Sequence, residues 1–326
     1  MSSTVGGNAI AAVPCEGTDE LVLLDIATGD SLGLIPVGSD PVHATTCAGT
    51  TFVATMGERA VSAVTPDGTV ERIETGVLGP SHFAQIDGEL FVSCTAGDTL
   101  AVIDSVELRL VDRVPVGAEP HEMAVSPSGD VLYVGSRRDG TVDAVRPSER
   151  AVVSSVRIAP RARVQGVALD PDGERGYAVD QRGARVVAFE ANPSGLATGV
   201  SASVGGDPYD LVVTDRRVFV PGRAAGTVHE FDLDLDPVTV HDGFSRPVDL
   251  FRLDGSWWVL DADDAAIRSL DGRSVATVAP GLSATTVDAH LLVSHYDADL
   301  VSLVHPRDGV VWCSDVPAYP FGAVVI

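Results

Sequence analysis

One short motif recurs eight times along this 326-residue chain. The copies are DPVHATT at 40–46, GPSHFAQ at 79–85, EPHEMAV at 119–125 and RVQGVAL at 163–169. They continue with DPYDLVV at 207–213, RPVDLFR at 246–252, GLSATTV at 281–287 and YPFGAVV at 319–325. The equivalent residues are His43, His82, Glu122, Gly166, Asp210, Asp249, Ala284 and Gly322, spaced by 39, 40, 44, 44, 39, 35 and 38. A period near forty built from short β-rich pieces is the signature of propeller blades, units that bury their faces only against one another.

The copy at 119–160 shows the anatomy of a unit. EPHEMAVSPSG is followed by DVLYVGSRRDG, TVDAVRPSER and AVVSSVRIAP. Each piece is a β-branched run bounded by Gly, Pro, Asp or Ser, so four runs make one antiparallel blade. Turns such as SPSGD, DPDGE and TPDGT place Pro and Gly where a tight turn needs a fixed or positive φ. No segment sustains a 3.6-residue apolar period, so no long helix is expected. The chain ends on YPFGAVVI, a first strand with nothing after it, and begins with three strands that lack a first. Both ends therefore belong to one blade, which removes two exposed sheet edges.

The expected fold is all-β: a single closed propeller of eight four-stranded antiparallel blades, its C-terminal strand pairing with the N-terminal strands. Seven blades is the alternative if the weak copy at 281–316 packs irregularly. The expected blades are 8–38 with 320–326, 41–77, 80–117, 120–159, 163–204, 208–245, 247–279 and 282–318, in one domain, 1–326.

The stretch GAEPHEMAVSPSGDVLYVGSRRDGTVDAV, with weaker copies such as DGELFVSCTAGDTLAVID, resembles the YVTN/YncE-like family of β-propellers. The resemblance spans nearly the whole chain. It implies the fold and not an activity, because propellers host many functions. Eight units depart from the seven blades usual in that family and stand closer to haem d1-binding propellers.

Net charge is −24, and all 22 basic residues are Arg. A field of that sign repels nucleic acid and anionic membrane surfaces, so neither is expected as a partner. No stretch approaches 18 apolar residues, and residues 1–7 carry no secretory pattern; a cytoplasmic protein is expected. Cys15, Cys47, Cys94 and Cys313 lie far apart with no CxxC pair and read as thiols buried in strands.

In a propeller the first strand of each blade is innermost, and the loop between its second and third strands opens on the same face as the loop leading into it. Two rings of residues should therefore meet at one mouth. His43, His82 and Glu122 stand on three consecutive blades, and imidazole with carboxylate suits either general acid–base work or a divalent ion. These three are the candidate catalytic residues and the candidate metal ligands; no cofactor is required, and a divalent metal ion is an option. Candidate substrate contacts are His121, Gln165 and Tyr209 just before the inner ring, with Asp210 and Asp249 on it. Arg137, Arg182 and Arg223 from the loops could grip a carboxylate or phosphate in bidentate fashion. His295 and Tyr296 complete the set, His295 being read as a solvent-exposed loop residue or as an acid or base from the far side. Competing readings are an Asp that caps backbone amides at a strand start, and Arg in surface ion pairs.

The chain is thus read as an enzyme of the lyase, lactone-hydrolase or isomerase type acting on a small polar or anionic molecule. It resembles streptogramin lyases and propeller lactonases in architecture and residue type. A non-catalytic propeller for ligand or protein binding is one alternative. A tetrapyrrole-binding propeller without a CxxCH motif is another.

Overall fold

A computed structural model describes residues 9–326; residues 1–8, where the expected first blade begins and the secretory pattern was sought, lie outside the described residues. The chain is all-β, with eight four-stranded antiparallel sheets forming an eight-bladed β-propeller. The blades span 10–36 with 324–325, 41–74, 80–115, 120–157, 164–203, 212–241, 247–276 and 283–315, numbered one to eight in that order. The copy at 281–316 is a regular blade, so the count is eight. Among the described residues, helical structure is confined to three single 3₁₀ turns at Glu16–Thr18, Pro147–Glu149 and Tyr296–Ala298.

Burial falls from the middle of a blade to its outer edge. Second strands such as Thr50–Thr55 and Leu132–Ser136 are buried at every residue, because neighbouring sheets cover both faces. That is why neither strand carries a charged residue. Fourth strands such as Ala197–Ser203 are almost wholly exposed and are rich in Ser and Gly. Cys15 and Cys94 are buried thiols as expected, but Cys47 is half-buried and Cys313, on the outer strand Gly309–Asp315, is exposed. All four are free cysteines. Of the tryptophan pair, Trp258 is buried in the core and Trp257 is half-buried.

The chain divides into two compact units, residues 1–73 with 247–326, and residues 74–246. In the first, Val324–Val325 pairs antiparallel with Ile10–Cys15, Ala11 facing Val325 and Ala12 facing Val324. The core of Ala11, Val13, Leu24, Leu292 and Leu303 receives Ala323 and Val325 from this terminal segment. In the second unit, blades three to six stack through apolar clusters, including one built on Tyr133, Val164 and Phe189 between blades four and five.

Deleting residues 320–326 should uncover one edge of Ile10–Cys15 and remove the apolar contacts of Ala323 and Val325. Thermal denaturation should show a Tm lower by at least about 5 °C, and size-exclusion chromatography should show associated species formed through the bare edge. An unchanged Tm would contradict the shared blade.

Candidate functional site

The second unit gathers the polar residues singled out on blades three to six, and it does so through β-bulges. In blade three Pro80 pairs with Cys94 and His82 with Ser93, so Ser81 has no partner across the ladder. In blade four Pro120 pairs with Ser136 and Met123 with Val134, leaving His121 and Glu122 opposite the single residue Gly135. Blade five repeats this with Gln165 and Gly166 between Val164 and Val167. In blade six the expected first strand is reduced to a Pro208–Gly222 bridge and Val212–Val213, with Tyr209 and Asp210 between them. An extra residue locally breaks strict alternation and re-aims side chains. Neighbouring residues such as His121 and Glu122 can then serve one site.

His82 and His121 lie with ring centroids 4.2 Å apart and planes inclined at 55°. The Nε2 of His82 is 3.7 Å from Glu122 Oε2. Its Nδ1 is 3.1 Å from the Ser81 hydroxyl, which in turn meets the hydroxyls of Ser93 and Thr95. Thr95 donates to the carbonyl of Pro120 and ties blade three to blade four. His121 is 5% exposed. Its Nδ1 is 3.0 Å from the carbonyl of Gln165, and its Nε2 is 3.2 Å from the Tyr209 hydroxyl. A carbonyl only accepts, so Nδ1 carries the proton and Nε2 receives the phenol's. Gln165 is buried and donates to Gln181, which donates to Asp207.

Glu122 on blade four feels the charge of Asp210 on blade six. Gly166 of blade five abuts Asp210, and a Cβ there would come within 3.1 Å of Asp210 Oδ1. Its missing side chain is what lets the Asp210 carboxyl approach. Close surroundings and the neighbouring Asp210 charge raise the Glu122 carboxyl to about 8. Loss of hydration also raises Asp210, opposed by the Leu211 amide at 2.7 Å and by Arg223. The Glu122 side chain keeps 40% of its surface, so the cluster opens on one side.

Arg223 lies with its guanidinium carbon 3.9 Å above the Tyr209 ring, a cation–π contact. Its Nε is buried without a hydrogen bond, Asp207 Oδ2 standing 3.5 Å away. Arg137 and Arg163 likewise have a buried Nε with no hydrogen-bond partner among the described residues. Arg163 was not among the expected site residues; its signal was an Arg where most other copies begin with an acid or Gly. Arg182 is exposed, with only a long contact of 3.5 Å to the Arg161 carbonyl. Arg138 pairs with Asp98 at 3.0 Å, the plain surface reading.

His82, His121 and Glu122 each present one ligand atom, all within 4.8 Å of one another. In the sequence the third member of this set was His43. That residue belongs to the first unit, where its ring meets Phe321 edge-on at 5.1 Å and burial pushes its imidazole down to about 4.

No protein-family model and no curated protein matches the chain. Solved structures do. The dihydro-haem d1 dehydrogenase NirN in complex with DHE aligns at a TM-score of 0.78 and 14% identity, over 97% of this chain and 74% of NirN. Apo AztD from Citrobacter koseri aligns at 0.69 and 13%, over 98% and 97% of the two chains. The periplasmic gluconolactonase PpgL of Pseudomonas aeruginosa aligns at 0.64 and 18%, over 98% and 99%. At these identities the likeness is one of fold.

The remaining expected site residues lie in the first unit. Asp249 accepts the Leu250 amide at 2.8 Å, as Asp210 accepts that of Leu211 at 2.7 Å. Tyr296 donates to Glu16 Oε2 at 2.6 Å and stacks on Tyr319 at 4.9 Å. His295 is not an exposed loop residue. It ends the strand His290–His295 with no surface left, Nε2 at 2.8 Å from the Ser302 hydroxyl and Nδ1 at 3.2 Å from the Pro280 carbonyl. The third strand brings Ser302 to it, a pairing no local pattern announces. A separate cavity of about 650 Å³ between blades one and two is lined by Leu21, Leu23, Ile35, Val64 and Cys47 and has no imidazole or carboxylate side chain in its wall.

Burial depresses the His295 imidazole below its ordinary value. The unfolded chain therefore binds the proton first as pH falls, and His295 costs stability progressively below about pH 6.5. Urea unfolding of wild type and His295→Gln at pH 7 and pH 5 should show a smaller acid loss in the variant. Equal losses would exclude this source.

Proposed function

We propose that the chain is a hydrolase of small anionic cyclic esters, acting at the blade three to six site. The observation that carries this reading is Glu122 standing in the field of the Asp210 carboxyl, which packs on Gly166, beside two imidazoles and the Arg223–Tyr209 stack. Two carboxyls and an imidazole can supply the base and acid that ester hydrolysis needs. One carboxylate takes a proton from water as the water oxygen bonds to the carbonyl carbon. The acyl C–O bond then breaks, and the ring oxygen leaves with a proton returned by the neighbouring acid, His82 being in reach of Glu122. Arg223, with Arg163, holds the substrate's carboxylate or phosphate; their buried Nε atoms have hydrogen-bonding capacity to spare.

Elimination or isomerisation would draw on the same groups. The hydrolase reading is preferred because a gluconolactonase is among the solved structures of like fold. The likeness to NirN supports a tetrapyrrole-binding alternative, on fold alone.

A panel of lactones with and without a carboxylate or phosphate substituent should be followed by proton release. Glu122→Gln and Asp210→Asn should each lower kcat by ~10²-fold or more, the usual weight of general acid–base catalysis. Arg223→Gln should raise KM about tenfold or more for anionic lactones and leave neutral ones unchanged, as loss of a charge-assisted pair predicts. Turnover no faster than that of the Glu122→Gln/Asp210→Asn double variant would refute the reading. A bound chromophore with haem-like absorbance would favour the tetrapyrrole alternative.

A further inference from the structure

We propose that His82, His121 and Glu122 form a binding site for a divalent cation of the zinc class. The inference goes beyond the hydrolase reading and does not depend on it; with a cation on His82 and Glu122, Asp210 is the carboxyl left to act as base. Two imidazoles and one carboxylate are a donor set that suits zinc and leaves a further position open.

The orientation of both rings supports the site. The Gln165 carbonyl holds His121 through Nδ1, so the lone pair sits on Nε2. A backbone carbonyl fixing the far nitrogen is the usual outer support of a metal-binding imidazole. His82 is held through Nδ1 by Ser81, and its Nε2 faces Glu122 at 3.7 Å. The donor atoms lie within 4.8 Å of one another. Tetrahedral zinc with bonds of ~2.0–2.1 Å needs ligand atoms roughly 3.3 Å apart. The remaining closure falls to Glu122, the most accessible of the three. Asp210 behind the cluster adds a second carboxyl that favours a cation.

At present the Tyr209 hydroxyl donates to His121 Nε2 at 3.2 Å. The cation takes that lone pair, so the phenol is a competitor of the metal and not a ligand. This sets the site apart from a mere hydrogen-bonded cluster. Removing the phenol oxygen should keep or tighten metal binding, whereas removing an imidazole should abolish it.

Chelator-treated full-length protein should be titrated with ZnCl₂ by calorimetry, with zinc content measured after desalting. The expected result is one equivalent per chain with Kd at or below about 1 μM. His82→Ala and Glu122→Gln should each weaken binding tenfold or more. Tyr209→Phe should bind at least as tightly as wild type, and His241→Ala, on an outer strand, should not differ. Should a variant fail to fold, Co²⁺ added to wild-type protein provides a second measurement through its visible bands, present with the site and absent without it. Zinc binding unchanged in the His82→Ala/Glu122→Gln double variant, or no uptake by wild type, would overturn the proposal. Weaker binding by Tyr209→Phe would overturn the stated role of the phenol. A protein that binds zinc in this way but opens no lactone would refute the hydrolase reading and leave the cation site standing.

Discussion

A β-strand shows alternate side chains to opposite faces, so neighbouring residues cannot normally serve one site. The bulge early in the first strands of blades three to five, and its looser equivalent in blade six, lifts that restriction. It inserts one residue, leaves a backbone position outside the ladder and lets His121 and Glu122 both take part. His121 reaches forward to Gln165 and Tyr209 on the next two blades, while Glu122 meets His82 on the blade before. Remove the register shift and strict alternation would send one of the two away.

The electrostatics of the site run against the character of the chain. A protein with net charge −24 repels small anions at long range. Arg137, Arg163 and Arg223, half-buried on three consecutive blades, reverse that locally. Screening by water weakens an exposed charge, so burial is what gives these three their reach. Loss of hydration raises both Glu122 and Asp210, and the Asp210 charge raises Glu122 further. Two acids that resist ionisation beside Arg side chains are an arrangement met more often at functional sites than in surface ion-pair networks.

Other buried polar groups show the contrast. Asp180 accepts the backbone amides of Arg163 and Gly183 and pairs with Arg185 at 3.0 Å. Asp261 pairs with Arg268 at 3.1 Å, and His295 has Ser302 and Pro280. Each has firm partners and sits between strands or loops of its own blade. They fasten turns. The Glu122 side chain keeps 40% of its surface, so its cluster opens on one side.

The repeat near forty, the turn residues and the orphan strands at the two ends pointed to a blade shared by the termini and to eight blades, with seven left open by the weak copy at 281–316, because blades bury their faces only against one another. Sequence also singled out His82, His121, Glu122, Tyr209 and Asp210 from the motif that opens each blade, and Arg223 from a loop between second and third strands. It placed Asp249 on the same ring; the folded chain gives Asp249 the same bond to the next amide that Asp210 makes, and buries His295 at the end of a second strand. The partners of His82 and His121 come from other blades, and contacts across such distances leave no local pattern. The extra residue in the first strand is equally silent, since a bulge is a matter of pairing between two strands. Only the folded chain decided that His121 joins His82 and Glu122, that Gly166 makes room for Asp210, and that Arg163 stands beside Tyr209.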